Sequence, residues 1–391
     1  MNVSPQTSVI IAAYNEEGGL PMVLGQLDRI INSAQIYSDG VKSDEIEVIV
    51  INDGSSDKTA DAAAKYNCKV ISHQGNMGKG QAMQTGIANS RGQNIIFIDA
   101  DGTYPAEEII NIIEKLKDYD AVFTVREQKN IPLFNFIGNK IISAAIRIFS
   151  GFSGNDPLSG LYGIRRSVIG KINIESSDFS VETEIVVKTA VMGFKMTELP
   201  IKYERRLGKS KLSPFKDGLK IFRLICSLII RYNPLITFVF PGIFLCLIGL
   251  VFFLLTASGD FYMADNIVFG IHTFIFSVMI FLVGFQIIIQ GVILNLYAVK
   301  HGYKKPDIIS KIFKPLFFKW LFILGLVILI AGVTMAVKSA FIWVTSGFQP
   351  YFETRQVIIA LLFNFLGLQL IFSSLLGLVF VRETKNMDSD G

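Results

Sequence analysis

IIFIDADGTYP, residues 95–105, runs an apolar segment straight into two carboxylates, Asp99 and Asp101, one residue apart. The apolar half reads as a buried strand. The acidic half has two readings. Asp and Gly are ordinary turn formers, so a single acidic strand end needs no further account. Two carboxylates at such an end also suit a hard divalent cation holding a negatively charged substrate. The flanking sequence decides between them.

Strand-like and helix-like runs alternate around this stretch. TSVIIAAY (7–14), EIEVIVIND (45–53), CKVISH (68–73), NIIFIDA (94–100) and DAVFTVR (120–126) read as strands. Helical patterns fill 18–36, 54–67, 78–91 and 105–117. This alternation predicts an α/β domain with a mostly parallel sheet and helices on its faces. Such sheets bind ligands beyond the carboxyl ends of their strands. Three of these ends carry polar clusters: Tyr14-Asn15-Glu16, Asn52-Asp53-Gly54 and Asp99-Ala100-Asp101. Placed on one rim, they turn the acidic pair into a site for Mg2+ or Mn2+, which bridge carboxylates and phosphates.

The 391 residues are 51% hydrophobic with a mean hydropathy of +0.46, too apolar for an ordinary soluble chain. The excess lies after Pro234. The runs 234–256, 267–294, 316–337 and 357–381 hold one charged residue between them, Lys319. Each is long enough to cross ~30 Å of hydrocarbon, which takes ~20 helical residues. The first connection has two Asp and no Lys or Arg, whereas the second, 295–315, has five Lys against one Asp. The lysine-rich loop predicts a cytoplasmic side shared with both termini. The N-terminus lacks the basic start and long apolar stretch of a signal peptide, which agrees. Before the first span, Lys216, Lys220, Arg223 and Arg231 recur among apolar residues, as in an interfacial amphipathic helix. The expected organisation is therefore a cytoplasmic domain at 1–212, an interfacial helix at 213–233, four spans within 234–382 and a cytoplasmic tail at 383–391.

Some classes are excluded. A net charge of +4 gives no argument for nucleic acid. Cys68, Cys226 and Cys246 fit no zinc spacing and read as packing residues. The polar residues within the spans, such as Gln286, Asn364 and Gln369, are few and mostly not ionisable, which suits an anchor better than a pump.

Over residues 5–213 the chain resembles family 2 glycosyltransferases of the GT-A fold, specifically the dolichol-phosphate mannose synthase-like group. The resemblance rests on Tyr14-Asn15-Glu16, Asn52-Asp53-Gly54-Ser55-Ser56-Asp57, Asn76-Met77-Gly78-Lys79-Gly80-Gln81-Ala82, Asp99-Ala100-Asp101-Gly102, Asp156-Pro157-Leu158-Ser159-Gly160 and Arg205-Arg206-Leu207-Gly208-Lys209-Ser210-Lys211, in that order. It implies a nucleotide-sugar donor, Mg2+ or Mn2+, and a polyprenyl or dolichyl phosphate acceptor. GDP-mannose, UDP-glucose and UDP-N-acetylhexosamine donors all fit. Position by position, it implies that Ala12, Tyr14, Glu16, Ile51 and Asp53 surround the nucleoside. Ala12 stands where the family often has Pro. Asp99, Ala100, Asp101 and Thr103 match the diphosphate and metal segment, with Thr103 where Gln is common. Arg126 matches an arginine receiving the acceptor phosphate. Lys79 joins the donor site, Asp156 walls the transferred sugar, and Arg205 with Lys209 and Lys211 belongs to a loop that closes over the phosphates.

Each residue also has a plainer reading. Asp53 would cap a helix near Ser56, Lys79 would be solvated, Arg126 would make a structural ion pair, Asp156 would cap a loop, and Glu182 and Glu184 would begin a helix. The acceptor follows from chemistry. A hydroxyl acceptor needs a general base. A phosphate is already anionic and needs cations for positioning instead. The two rival functions are a hydroxyl-accepting polysaccharide or glycolipid synthase and a nucleotide-binding, lipid-handling membrane protein. The Gln-x-x-Arg-Trp run common in the former is absent.

Overall fold

The computed structural model describes residues 5–32, 45–127, 140, 142–144, 146–147, 154–204, 214–264, 267–348 and 353–382. The chain divides into two units, Met1–Ile229 and Ile230–Gly391.

In the first unit, β1 (Thr7–Ala13) is apolar on both faces and buried nearly throughout, the pattern of a central parallel strand. It lies between β2 (Ile46–Asn52) and β4 (Asn94–Phe97), both parallel to it, and β3 (Lys69–Ser72) extends the sheet beyond β2. On the other side β6 (Tyr162–Arg165) runs antiparallel between β4 and β5 (Ala121–Arg126), and β7 (Met196–Ile201) closes the edge parallel to β5. The order is β3-β2-β1-β4-β6-β5-β7, so the mostly parallel α/β sheet expected from the sequence is observed.

Helices cover both faces. On one face α1 (Leu20–Ile31) buries Leu20, Val23, Leu24 and Leu27 against Val9, Ile11 and Ile96. The short α2 (Thr59–Ala63) follows β2. On the other face α3 (Lys79–Ala88) packs Ala82 over Ile49 and Ile51. Helix α4 (Glu108–Lys115) buries Ile109, Ile112 and Ile113, spaced for one helical stripe. Each such side chain contributes about 1.5–3 kcal/mol. Three more helices complete this part of the chain: α5 (Arg166–Ile172), α6 (Val181–Val191) and α7 (Pro214–Tyr232). Helix α7 buries Ile221, Ile225 and Leu228 and exposes Leu219, Phe222 and Ile230 beside Lys220, Arg223 and Arg231.

Among the described residues, the second unit holds four helices long and apolar enough to cross a membrane: Leu235–Thr256, whose first turn is π-helical before α8 (Phe240–Thr256), then α9 (Ile271–Lys300), α11 (Pro315–Thr345) and α12 (Thr354–Arg382). A one-turn α10 (Ile308–Ile312) follows α9. Small residues allow close crossings, with Gly242 against Gly284 between α8 and α9 and Gly367 against Leu329 between α11 and α12. Gln369 Nε2 donates to Gln286 Oε1 at 2.6 Å across α12 and α9. The second span starts later than its apolar run. Ile267–Phe269 instead forms strand β9, which pairs with β8 (Phe261–Ala264), because the pairing satisfies its backbone before Gly270 starts the helix.

Candidate active site

The carboxyl ends of β1, β2 and β4 lie side by side, so their polar clusters meet on one rim. Asn15, with a φ of 50°, ties two of the clusters together: its N–H donates to Ser55 Oγ, and its Oδ1 accepts from Ser56 N at 2.8 Å. The N–H of Glu16 donates to Thr59 Oγ1.

Asp53 does not cap the following helix. Its carboxylate accepts from Met77 N and Gly78 N, both at 2.9 Å, and pairs with His73 Nδ1 at 2.7 Å. Asp57 takes the turn role by accepting from Thr59 N at 3.0 Å. Asp53 therefore fixes the loop that leads into α3. Gly78, with a φ of 95°, passes so close to Ser177 O that a side chain there would collide with it.

Lys79, the first residue of α3, is not solvated. Its Nζ lies 2.5 Å from Asp99 Oδ1 and 2.5 Å from Glu182 Oε1. Burial disfavours its charge, yet Asp99 and Glu182 outweigh burial and hold its pKa above that of an ordinary lysine. Burial, with Asp99 nearby, raises the Glu182 pKa against the opposing pull of Lys79. Glu182 thus begins α6, as its plainer reading has it, and is a site residue as well. The one sequence signal was a pair of glutamates, 182 and 184, in a segment otherwise fit for burial; Glu184 pairs with the buried Lys188.

Asp101 is oriented by Thr103, whose backbone N–H and hydroxyl both donate to Asp101 Oδ1, at 3.1 and 2.6 Å. Thr103 is fully buried, and in this structure its hydroxyl serves that carboxylate. Gly160 lies against Asp99, where a Cβ would meet the carboxylate itself, and its N–H donates to Tyr104 Oη at 2.7 Å.

Arg126, at the end of β5, forms a two-pronged pair with Asp156 and lies 5.3 Å from the Tyr203 ring centre. Both plainer readings of these two residues hold geometrically, since Asp156 also accepts from Arg126 N.

A cavity of about 330 Å3 joins these groups. Ala12, Tyr14, Glu16 and Asp53 line one part of it, and Lys79, Asp99, Ala100, Asp101 and Arg126 another. Tyr104, Glu182, Tyr203 and Ile221, none expected from sequence as site residues, also line it. Thr103 and Asp156 stand behind Asp101 and Arg126. Ile51 does not reach the cavity; it is fully buried beneath α3, because strand alternation turns it to the core. Arg205, Lys209 and Lys211 lie outside the described residues.

Two carboxylates of the described site face the cavity on one strand end, and no group of three or more His, Cys, Asp or Glu residues among the described residues is arranged to hold a metal. That donor set fits a hard divalent cation that takes its remaining oxygens from a bound diphosphate.

Comparison with known proteins adds to the geometry. Residues 8–172 match the family described as Glycosyl transferase family 2, and residues 292–380 match Glycosyltransferase family 2 C-terminal transmembrane region. The chain is 26% identical to the low-salt glycan biosynthesis hexosyltransferase Agl6 of Haloferax volcanii, over 96% of this chain and 89% of that one. It is 29% identical to a dolichyl-phosphate hexose transferase of the same organism, over 56% of this chain and 91% of that one. It is 31% identical to glycosyltransferase AglJ of that organism, over 52% of this chain and 70% of that one.

Proposed function

The chain belongs to glycosyl transferase family 2, and from that premise we propose that it moves one sugar, with inversion, from a nucleotide-sugar donor to a polyprenyl or dolichyl phosphate at the cytoplasmic membrane face. The observation that carries this reading is the make-up of the cavity. Among the described residues it presents Lys79 and Arg126 as cations and includes no histidine, and its inner carboxylates are engaged: Asp99 and Glu182 pair with Lys79, Asp53 accepts from backbone N–H groups, and Asp101 accepts from Thr103. A phosphate acceptor needs no base, so cations suffice. The dolichyl-phosphate hexose transferase relative and the four membrane-length helices point the same way.

Asp99 and Asp101 would hold Mg2+ or Mn2+ together with the donor's diphosphate. Bound there, the cation neutralises charge that builds on the leaving group. Tyr14, Glu16 and Ala12 form the nucleoside end of the cavity. Arg126 orients the acceptor phosphate toward the anomeric carbon, with Asp156 holding the guanidinium plane. Helix α7 would lie in the membrane interface with Leu219, Phe222 and Arg223 toward the lipid, while Lys220 pairs with Asp178 and Ile221 lines the cavity.

The test is incubation of the full chain with radiolabelled UDP- and GDP-sugars, Mn2+ and polyprenyl phosphate. Label should enter the organic phase, and omission of the lipid phosphate should prevent it. Label appearing instead on an oligosaccharide or glycolipid hydroxyl would replace this reading with the polysaccharide-synthase one.

A further inference from the structure

Lys79 sits directly on an expected metal ligand. Its ammonium is 2.5 Å from Asp99 Oδ1, the oxygen of an expected metal ligand, and equally close to Glu182 Oε1. An ammonium and a divalent cation repel one another, so Lys79 on Oδ1 weakens the hold of the same carboxylate on a cation. The backbone of Lys79 is fixed by the grip of Asp53 on Met77 and Gly78 and by the tight passage of Gly78 and Gly80 against residues 176–177. Its four-carbon stem remains a flexible tether for a point charge. Glu182, in the first turn of α6, offers the ammonium a second anchor besides Asp99.

We propose that Lys79 is a tethered cation that occupies Asp99 in the resting site and moves to the donor's diphosphate when it arrives, so that divalent cation and nucleoside diphosphate enter as a coupled pair. The proposal rests on the transfer reading above. Glu182 keeps the ammonium in the site during the exchange. The resting site then binds metal weakly, because its apparent affinity is reduced by the fraction of time that Asp99 is clear of Lys79. A diphosphate gives Lys79 a better partner and frees Asp99. By linkage, metal and nucleotide each tighten the other by the same factor.

The experiment measures Mn2+ binding to the detergent-solubilised full chain by the electron paramagnetic resonance signal of free Mn2+, with and without UDP or GDP. Without nucleotide, Lys79→Met and Lys79→Gln should bind Mn2+ about tenfold more tightly than wild type, and the coupling between Mn2+ and nucleotide should fall by a similar factor. Glu182→Gln keeps Lys79 and removes its second anchor, so it should weaken nucleotide-free Mn2+ binding. It serves as the independent check where Lys79 variants lose thermal stability. A gain in Mn2+ affinity that is equal with and without nucleotide would reduce Lys79 to a nearby charge and overturn the proposal. Unchanged affinity and coupling in Lys79→Gln would overturn it too, and the transfer reading would stand as long as wild type takes up Mn2+ with nucleotide. Failure of wild type to take up Mn2+ in either condition would remove the metal from the transfer reading and the exchange with it.

Discussion

Arg126 grips Asp156 through two parallel hydrogen bonds, Nε to Oδ2 at 2.6 Å and Nη2 to Oδ1 at 2.8 Å, with both side chains nearly closed to solvent. The pair makes a single substitution ambiguous. Arg126→Ala strands a buried carboxylate, which costs about 3–5 kcal/mol of stability whatever the role of the arginine. Adding Asp156→Asn removes the stranded charge. The double variant should unfold near the wild-type temperature and yet lose acceptor use by roughly tens- to thousands-fold, the ~2–5 kcal/mol of a lost charge-assisted contact. Donor affinity, measured separately, should be unchanged. Wild-type transfer in the double variant would make Arg126 a structural ion pair and nothing more.

The acidic pair gives the metal test. Asp99→Asn and Asp101→Asn should each lower transfer roughly a hundredfold or more, since Lewis-acid stabilisation is worth several kcal/mol. EDTA should inhibit wild type, and added Mg2+ or Mn2+ should restore it. Full activity of Asp101→Asn in EDTA would take the cation out of the mechanism.

Gly160 tests how tightly Asp99 is held. A methyl group there would press on the Asp99 carboxylate, which Lys79 pins from another direction. Gly160→Ala should therefore cut turnover at least about tenfold, the equivalent of 1.4 kcal/mol of misplacement, with a smaller change in unfolding temperature. Turnover at wild-type level would mean that Asp99 has slack and that its observed position is not the working one.

Much of this was legible in sequence, for physical reasons. Strands β1, β2 and β4 announce themselves because burial on both faces demands unbroken apolar runs, and their polar ends then fall on one rim by topology alone. The long apolar helices are legible because hydrocarbon thickness sets their length. Strand β6 was not, since four residues of Tyr-Gly-Ile-Arg carry no period, and their antiparallel place depends on β4 and β5 far away in sequence. Ile267–Phe269 was read into a span because hydropathy does not register that a hairpin partner lies a few residues upstream. Glu182 and Lys79 were ambiguous singly, each ordinary at a helix start; only folding brings them together on Asp99. Ile51 was placed beside the nucleoside by resemblance, although it belongs to the core, two residues before the side chain that reaches the cavity.

The ends of the long helices give a topology test. Asp260 and Arg355 pair at 2.5 Å at one end, whereas Lys304 and Asp307 lie on the loop joining α9 to α11. The positive-inside bias predicts Lys304 in the cytoplasm and Asp260 outside. Single cysteines at 260 and 304, in a background lacking the three native cysteines, should react with an impermeant maleimide from opposite sides of intact cells. Labelling at 304 from outside would invert the orientation and move the proposed reaction to the other face.

The last prediction concerns Asp307, which caps α10 by accepting from Ser310 N at 2.8 Å and also binds Lys304 and Asn295. Burial raises its pKa, but the Ser310 N–H, Lys304 and Asn295 outweigh burial and hold it below the ordinary aspartate value. A carboxylate with a depressed folded-state pKa stabilises the fold above its unfolded value of about 3.9, and that stability is lost as pH falls through the folded value. Asp307→Ala should therefore cost about 0.5–2 kcal/mol at neutral pH, as for a lost helix cap. The gap in unfolding temperature between wild type and variant should be flat from about pH 8 to pH 5 and should narrow below about pH 4, as wild type takes up the proton that the variant cannot. Thermal unfolding in detergent across that range, followed by helix dichroism, reads both features. A gap that persisted undiminished at pH 3 would show that the cap works through geometry without the charge, and that Lys304 contributes nothing through Asp307.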